Sequence, residues 1–205
     1  YRNTWLMTLA PGGIVGAVLT FSGLWGVPFL IDIYQFSPTA AAAMCSGVIL
    51  AWAVSGIGFS MYSEKILQRR KPYLVGTVFA LISWSIVFLI PGLPVPVLVI
   101  LLLTAGLSSG GMILGFALAK ESVPIYLAGT ISGLVNAGVM CGPMLLQPLV
   151  GWLLDRMWSG DVSGGIRIYD AIAFRVGFSG LLMWLLISVI LLMAARESGC
   201  QSLRE

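Results

Sequence analysis

The sequence predicts an all-α membrane protein with six transmembrane helices. Apolar residues make up 59% of the 205 residues, and charged residues only 9%. Soluble domains carry about 25% charged residues, so this composition cannot supply an ordinary water-facing surface. A helix needs about 20 apolar residues to cross the hydrocarbon core of a bilayer. Six such stretches with short connections use up the chain, so we expect one transmembrane domain over residues 1–205.

Each predicted span is a long apolar stretch that ends at polar, Gly or Pro residues. The six predicted spans cover about 14–34, 38–62, 73–91, 95–119, 126–154 and 174–195. The first four connections are short. Only the stretch from about 155 to 170 is longer, and its Gly and Ser residues and charges are typical of a water-exposed loop.

The placement of Lys and Arg predicts that both termini are cytoplasmic. An even number of spans puts both ends on one side, and this side collects eight of the eleven basic residues: Arg2, Lys65, Arg69, Arg70, Lys71, Lys120, Arg196 and Arg204. The other three, Arg156, Arg167 and Arg175, fall on the opposite side. The chain starts at Tyr1 with no signal-peptide pattern, so we expect that it begins inside a longer protein or was processed.

Several function classes do not fit this sequence. It contains no histidine and no Gly-rich phosphate loop after a strand, and its aspartates fall in loops or at span ends. Cys45, Cys141 and Cys200 are scattered and odd in number, as expected of packing residues rather than a disulfide framework or a metal site. We therefore predict a protein that is not an enzyme, with no cofactor and no metal. The net charge of +3 comes from residues that flank the spans, so we expect no nucleic-acid partner.

The fifth predicted span carries an unusual Gly and Pro pattern. Gly138 and Gly142 stand one turn apart, and Pro143 and Pro148 follow before Asp155 marks the exit from the lipid. Small residues at this spacing allow two helices to approach closely, and prolines interrupt the hydrogen-bond ladder where a helix must bend.

The fourth span repeats the glycine pattern twice, as Gly106-x-x-x-Gly110 and Gly111-x-x-x-Gly115. This pattern predicts tight helix packing. A static bundle and a mobile interface between moving helices both explain it.

Four segments together resemble the carboxy-terminal half of a major facilitator superfamily (MFS) transporter. They are the aromatic and Gly-rich stretch 21–30, the basic loop 63–72, the end of the fourth span at 115–121, and the stretch 129–136 that leads into the Gly/Pro pattern. The resemblance covers almost the whole chain. Within the superfamily, the sequence is most similar to the bacterial organic-anion and sugar-phosphate branch.

The resemblance implies that the six spans are helices seven to twelve, arranged as two inverted three-helix repeats. It implies that the first and fourth spans line a central cavity for a small-molecule substrate. It also implies a bacterial inner membrane and a partner N-terminal six-helix half, in the same gene product or in a separate chain.

Candidate substrate contacts follow from helical spacing within these cavity-lining spans. The candidates are Trp25 and Phe29 on the first span, Met112 and Phe116 on the fourth, and Asn136 and Met140 on the fifth. Trp25 also fits a packed core. Asn136 and Gln147 lie on the same face of the fifth span. A polar amide at membrane depth needs a hydrogen-bond partner or a water-filled path, so each is either an interhelical hydrogen-bonding residue or a substrate contact.

Candidate gate residues lie at the span ends. Asp32 and Lys120 are interfacial anchors or gate residues. Glu64 and Arg69 lie in the basic loop, which departs from the family signature at Ser60, Glu64, Lys65 and Leu67. The loop therefore predicts either a gating salt bridge from Glu64 or a simple topology signal.

Three hypotheses for function remain open at this point. The first is secondary active transport of a small organic solute, an organic anion being one class, by alternating access with the other half. The second is a structural or assembly subunit of a larger membrane complex. The third is a carrier made of two parallel copies. No charge sits near the middle of a span, so titrating carboxylates or deep arginines would come from the other half.

Overall fold

The computed structural model describes residues 1–90 and 92–201 and contains six long helices. Their bounds are α1 Arg2–Tyr34, α2 Pro38–Ile66, α3 Arg70–Leu89, α4 Val95–Glu121, α5 Ile125–Met157 and α6 Ala171–Ala194. The α5–α6 connection forms a small antiparallel hairpin of β1 Val162–Ser163 and β2 Ile166–Arg167. The predicted all-α, six-helix fold is confirmed. Pro91 and Arg204, which entered the predictions above, lie outside the described residues.

Local sequence signals set several of the helix ends. The Ser37 hydroxyl accepts a hydrogen bond of 3.3 Å from the Ala40 amide at the start of α2, where Pro38 occupies the first helical position. The Asp170 carboxylate accepts one of 2.7 Å from the Ala173 amide at the start of α6. Capping thus fixes where these two helices begin.

The first helix begins at Arg2, well before the predicted span of about 14–34. Pro11, Gly12 and Gly13 are residues that disfavour a helix interior, yet all three lie inside the helix and are buried. The two glycines are required by close packing, because a Cβ on Gly12 would lie 2.9 Å from the Gly138 carbonyl oxygen and one on Gly13 2.6 Å from that of Trp184. Tertiary contacts therefore keep this segment helical.

Two helices change their hydrogen-bond pattern near mid-length. Residues Phe21–Trp25 form a π turn within α1, and Gly110–Met112 form a 3₁₀ turn within α4. Such turns inside α-helices often mark functional positions or hinges. They occur in the first helix of each three-helix group.

The first helix of each group of three packs mainly against the second and third helices of the other group, which we call the exchange of partners. Helix α1 packs against α5 and α6, α4 packs against α2 and α3, and α3 packs against α6. This exchange is the packing of two inverted three-helix repeats. We call the end that carries Asn3, Arg69 and Arg196 the terminal end, and the end that carries Asp32 and Tyr169 the hairpin end.

Glycines bring the exchanged partners together backbone to backbone. A Cβ on Gly138 would overlap the carbonyl oxygen of Thr8, and a Cβ on Gly142 would overlap that of Gly12. In the other pair, a Cβ on Gly106 would lie 2.6 Å from the carbonyl oxygen of Val48. Contacts this close are available only to residues without a side chain.

Candidate functional site

Phe29 lies in the core of the bundle. It is 4% exposed and belongs to an aromatic cluster shared by α1, α3 and α6. Its ring centroid is 5.2 Å from that of Phe174 in an edge-to-face arrangement, and Phe88 and Phe178 stack beside it at 4.3 Å. Edge-to-face and offset pairs are the favoured aromatic geometries, so this cluster stabilises the hairpin-end half of the bundle.

Trp25 and Gln147 join α1 to α5 at the π turn. The Trp25 indole N–H donates to the Gln147 carbonyl oxygen at 3.0 Å, and the Gln147 side-chain amide donates to the Leu19 carbonyl oxygen at 3.2 Å. A π turn disturbs the regular hydrogen-bond ladder, and a side-chain amide can supply a replacement partner at membrane depth. Gln147 therefore joins α5 to α1 by an interhelical hydrogen bond. Trp25 is half-buried and packs against Gly151.

A groove of about 600 Å³ lies between α2 and α4. Met112 lines it from the 3₁₀ turn of α4, opposite Trp52, Ser60 and Met61 of α2. Sequence reasoning missed the α2 residues. The stripe Trp52, Gly56 and Ser60 at four-residue spacing was the signal that could have found them.

The remaining candidates on α4 lie beyond the groove toward the terminal end. Phe116 is half-buried against the core, and Lys120 is exposed near the end of the helix. Gly110 faces Ser55 and Gly56 of α2. Gly115 faces the fully buried ring of Tyr73, and a Cβ there would lie 3.1 Å from this ring.

Asn136 and Met140 lie on a face of α5 that no other described helix covers. Both side chains are exposed, and a Cβ added at Gly129 or Gly133 on the same face would meet no atom within 4 Å. Nothing within the described chain therefore explains these two glycines by packing. Within α5, Pro143 is buried and Pro148 is exposed.

Helix α2, the least buried of the six, has a similar uncovered face. A Cβ added at Gly58 would meet no atom within 4 Å, and Ala53, Val54 and Ile57 are exposed nearby. The exchange of partners between the repeats makes α2 and α5 equivalent helices, so the bundle has two related uncovered faces.

Arg69 is the centre of an ion cluster at the terminal end. Its guanidinium Nε donates to Glu121 Oε1 at 3.0 Å, and its Nη1 donates to the Ser63 hydroxyl at 3.1 Å. Glu64 lies 3.9 Å away with a side chain that is 65% exposed, so it contributes little to the cluster. The sequence prediction placed the salt bridge on Glu64, whereas the close partner is Glu121 from α4.

The segment after α6 completes this cluster. Glu197 Oε1 accepts a hydrogen bond of 2.7 Å from the Arg69 amide, and Oε2 accepts one of 2.9 Å from the Arg70 amide. The Arg70 guanidinium donates in turn to the Leu192 and Met193 carbonyl oxygens at 3.0 and 2.8 Å. The Arg70 guanidinium therefore binds free carbonyl groups at the end of α6, and the Glu197 carboxylate binds free amides at the start of α3.

A second polar cluster joins three elements at the hairpin end. The Tyr169 amide donates to Asp32 Oδ2 at 3.2 Å, and the Tyr169 hydroxyl donates to Asp155 Oδ1 at 2.7 Å. Arg167 Nη1 donates to the same Asp155 oxygen at 2.6 Å. Burial and the neighbouring Asp155 carboxylate raise the pKa of the Tyr169 hydroxyl, which keeps it protonated as a donor.

The six predicted substrate contacts do not converge on one site within the chain. Phe29 lies in the core, Met112 in the α2–α4 groove, Trp25 in the α1–α5 contact, and Asn136 and Met140 on the uncovered face of α5. Within residues 1–90 and 92–201, no group of three or more His, Cys, Asp or Glu side chains could hold a metal ion.

Solved structures of transporters share this fold. The proton:xylose symporter XylE, bound to 6-bromo-6-deoxy-D-glucose, aligns with a TM-score of 0.75 and 19% identity over 96% of this chain and 45% of the symporter. XylE from E. coli in an inward-open conformation aligns with a TM-score of 0.70, 18% identity, and 96% and 48% coverage.

A bacterial homologue of the human lysosomal transporter Spinster, inward-facing and occupied, gives a TM-score of 0.68 and 14% identity over 95% of this chain and 49% of its own. No protein-family model and no curated protein matches the sequence. The chain spans about half the length of these structures, and it has the six-helix fold of half of a major facilitator superfamily transporter.

Proposed function

We propose that this chain is the carboxy-terminal half of a secondary active transporter that moves a small organic solute by alternating access. The similar structures are transporters about twice as long as this chain, which supports a second six-helix half. The two halves would rock about a solute site near the middle of the membrane, as in other transporters built from repeats.

The observation that carries the proposal is the pair of uncovered faces on α2 and α5. Gly58, Gly129 and Gly133 lie where another backbone could approach closely, yet no described helix of this chain does so. In lipid, exposed glycines gain nothing unless a partner helix packs on them. A second half that covers both faces would also enclose the residues between them.

The solute site would then be formed between the halves. Asn136 and Met140 of α5 are exposed and Met112 lines the α2–α4 groove, so these three side chains would face or border the contact between the halves. Trp25 and Phe116 would pack behind these residues and shape the wall of the solute site. Phe29 would hold α1 in place. Asn136 is the one polar side chain among them, so it would orient a hydroxyl or carboxylate of the solute.

The polar clusters at the two ends would act as gates. Arg69 with Glu121 would stabilise the terminal end, and Asp32 and Asp155 would stabilise the hairpin end. We place the terminal end on the cytoplasmic side of a bacterial inner membrane, because seven of the ten basic residues that the structure describes lie at this end.

The test is transport by the native protein that contains this chain, purified from its own membrane and reconstituted in liposomes. Counterflow would be measured with a panel of radiolabelled sugars, sugar phosphates and organic anions. We expect one class to accumulate, and we expect Asn136→Ala to reduce its uptake at least tenfold, whereas Ser179→Ala, an exposed hydroxyl on α6, leaves it unchanged. Co-purification with an unrelated membrane complex and no counterflow of any solute would favour a structural subunit instead.

A further inference from the structure

The α5–α6 connection reaches across the hairpin end and touches both α1 and α5. Tyr169 makes two of these contacts, with its amide on Asp32 of α1 and its hydroxyl on Asp155 of α5. Arg167 adds a salt bridge to Asp155. One short segment therefore links the ends of two helices that belong to different repeats.

The connection is held together internally and can act as one piece. The Asp161 carbonyl oxygen accepts hydrogen bonds from the Trp158 indole N–H at 2.9 Å and from the Ile168 amide at 3.0 Å. The Arg167 guanidinium lies 4.5 Å from the centre of the Trp158 ring, a cation–π distance. Asp170 then fixes the segment to the start of α6.

Its contact with α1 is polar and lies beside a cavity. A cavity of about 460 Å³ separates the connection from α1 and is lined by Val27, Pro28, Ile31, Asp32, Gln35, Ile166, Arg167 and Ile168. Apolar side chains from both elements face this space. The connection is therefore tied to α1 by the Asp32 hydrogen bond beside the cavity, and it is not packed flush against the helix.

The α1 segment on the other side of the cavity follows the π turn. Residues Gly26–Tyr34 form a short α-helical segment after the turn at Phe21–Trp25. A π turn is a weak point in a helix, because its hydrogen bonds are displaced from the regular ladder. Small tilts of this outer segment can therefore be absorbed at the turn, while the inner part of α1 stays fixed by its glycine contacts with α5.

We propose that residues 158–169 form a latch that holds the outer segment of α1, Gly26–Tyr34, in place at the hairpin end. With the Asp32–Tyr169 contact made, the outer segment is fixed to α5 through Asp155. When the contact opens, the segment tilts about the π turn into the space of the cavity and changes access at this end. The role of the latch in solute access rests on the proposed transport function.

The latch is tested by hydrogen exchange of the full protein in lipid nanodiscs, read by mass spectrometry. Asp32→Ala removes the acceptor for the Tyr169 amide. We expect exchange in peptides covering 26–34 to rise about tenfold, the size expected for one lost charge-assisted hydrogen bond, with no change in peptides covering 2–20. The matched control is Asp161→Asn, an exposed carboxylate in the same connection whose side chain accepts a hydrogen bond from the neighbouring Ser159 hydroxyl.

Two further variants keep the test decisive. Asp32→Asn retains an oxygen acceptor and should give a smaller rise, and it serves if Asp32→Ala fails to fold. Tyr169→Phe removes only the Asp155 contact, and it should raise exchange of both the connection and residues 26–34. Wild-type exchange at 26–34 in all three variants, or an equal rise throughout α1, would overturn the latch.

This readout needs no solute, so it separates the latch from the transport proposal. A local rise in exchange together with no counterflow of any solute would support the latch and reject transport. Counterflow with unchanged exchange in the Asp32 variants would reject the latch and leave transport standing.

Discussion

Arg70 and Glu197 cap each other's helices. The Arg70 guanidinium binds carbonyl oxygens at the end of α6, while Glu197, just beyond α6, binds the amides of Arg69 and Arg70 at the start of α3. A cation at a helix C-terminus and an anion at an N-terminus are both favourable, since each meets the opposite end of the helix dipole. This reciprocal arrangement closes the terminal end of the bundle where α3 and α6 meet.

Replacing Glu197 by Ala should destabilise the bundle. Two amides lose a charged acceptor, and partial exposure limits the loss to about 1–2 kcal/mol. A loss of this size lowers Tm by about 2–8 °C for a chain of this length. Thermal unfolding in detergent measures the shift. The control is Glu64→Ala, which removes an exposed carboxylate 3.9 Å from Arg69 and should change stability by less than about 0.5 kcal/mol.

Replacing Gly142 by Ala should separate α1 from α5. The new Cβ would overlap the Gly12 carbonyl oxygen, and both atoms belong to rigid helix backbones. Overpacking of this kind costs about 1–3 kcal/mol. Gly133→Ala on the same helix is the control in the isolated chain, since no atom of this chain lies within 4 Å of its Cβ position. Equal Tm values for the two variants would contradict the close α1–α5 contact.

A larger side chain at Gly133 should block assembly with the proposed second half without unfolding the chain. Gly133→Leu adds an apolar side chain to an uncovered face, so we expect an unchanged Tm for the isolated chain. We expect recovery of the complete transporter to fall at least tenfold, measured by size-exclusion chromatography of the tagged protein. The control is Met183→Leu, which changes an exposed apolar side chain on α6 and should leave recovery unchanged. Full recovery of the Gly133 variant would show that this face does not contact the other half.

The two amides of α5 should respond differently to replacement by Leu. Gln147→Leu removes the hydrogen bond to the Leu19 carbonyl oxygen, and we expect a loss of about 1 kcal/mol, typical of interhelical hydrogen bonds in membranes. Asn136→Leu should leave the stability of the chain unchanged, because Asn136 is exposed, while it reduces solute uptake. Tm and counterflow measured on both variants distinguish the two roles.

The fold could be predicted from the sequence because each span is long, apolar and bounded by polar residues. The same uniformity hides which side of each helix faces the core. In α6, exposed Met183 and buried Leu185 are both apolar, so hydropathy does not separate them. Glycine spacing gave the better signal, since Gly138 and Gly142 do lie at the closest helix contact.

The two candidate residues of α1, Trp25 and Phe29, contact different parts of the bundle because the π turn interrupts the regular helical spacing. A π turn holds about one residue more than an α turn, so it rotates everything beyond it. Phe21 and Phe29, eight residues apart, consequently both point into the aromatic cluster, with ring centroids 5.9 Å apart. Glu121 and Glu197 were missed as partners of Arg69 because 52 and 128 positions separate them in sequence, and only the assembled bundle brings them together.

The exchange of partners between the repeats has a consequence for biosynthesis. Because α1 packs against α5 and α6, its glycine surface has no protein neighbour while the first three helices enter the membrane. Helix α4 meets α2 and α3 as soon as it inserts, but α1 must wait for the last two helices. The bundle therefore closes late, and a ribosome that stalls after α4 leaves a product in which the glycine surface of α1 still lacks its partners and is open to membrane quality control.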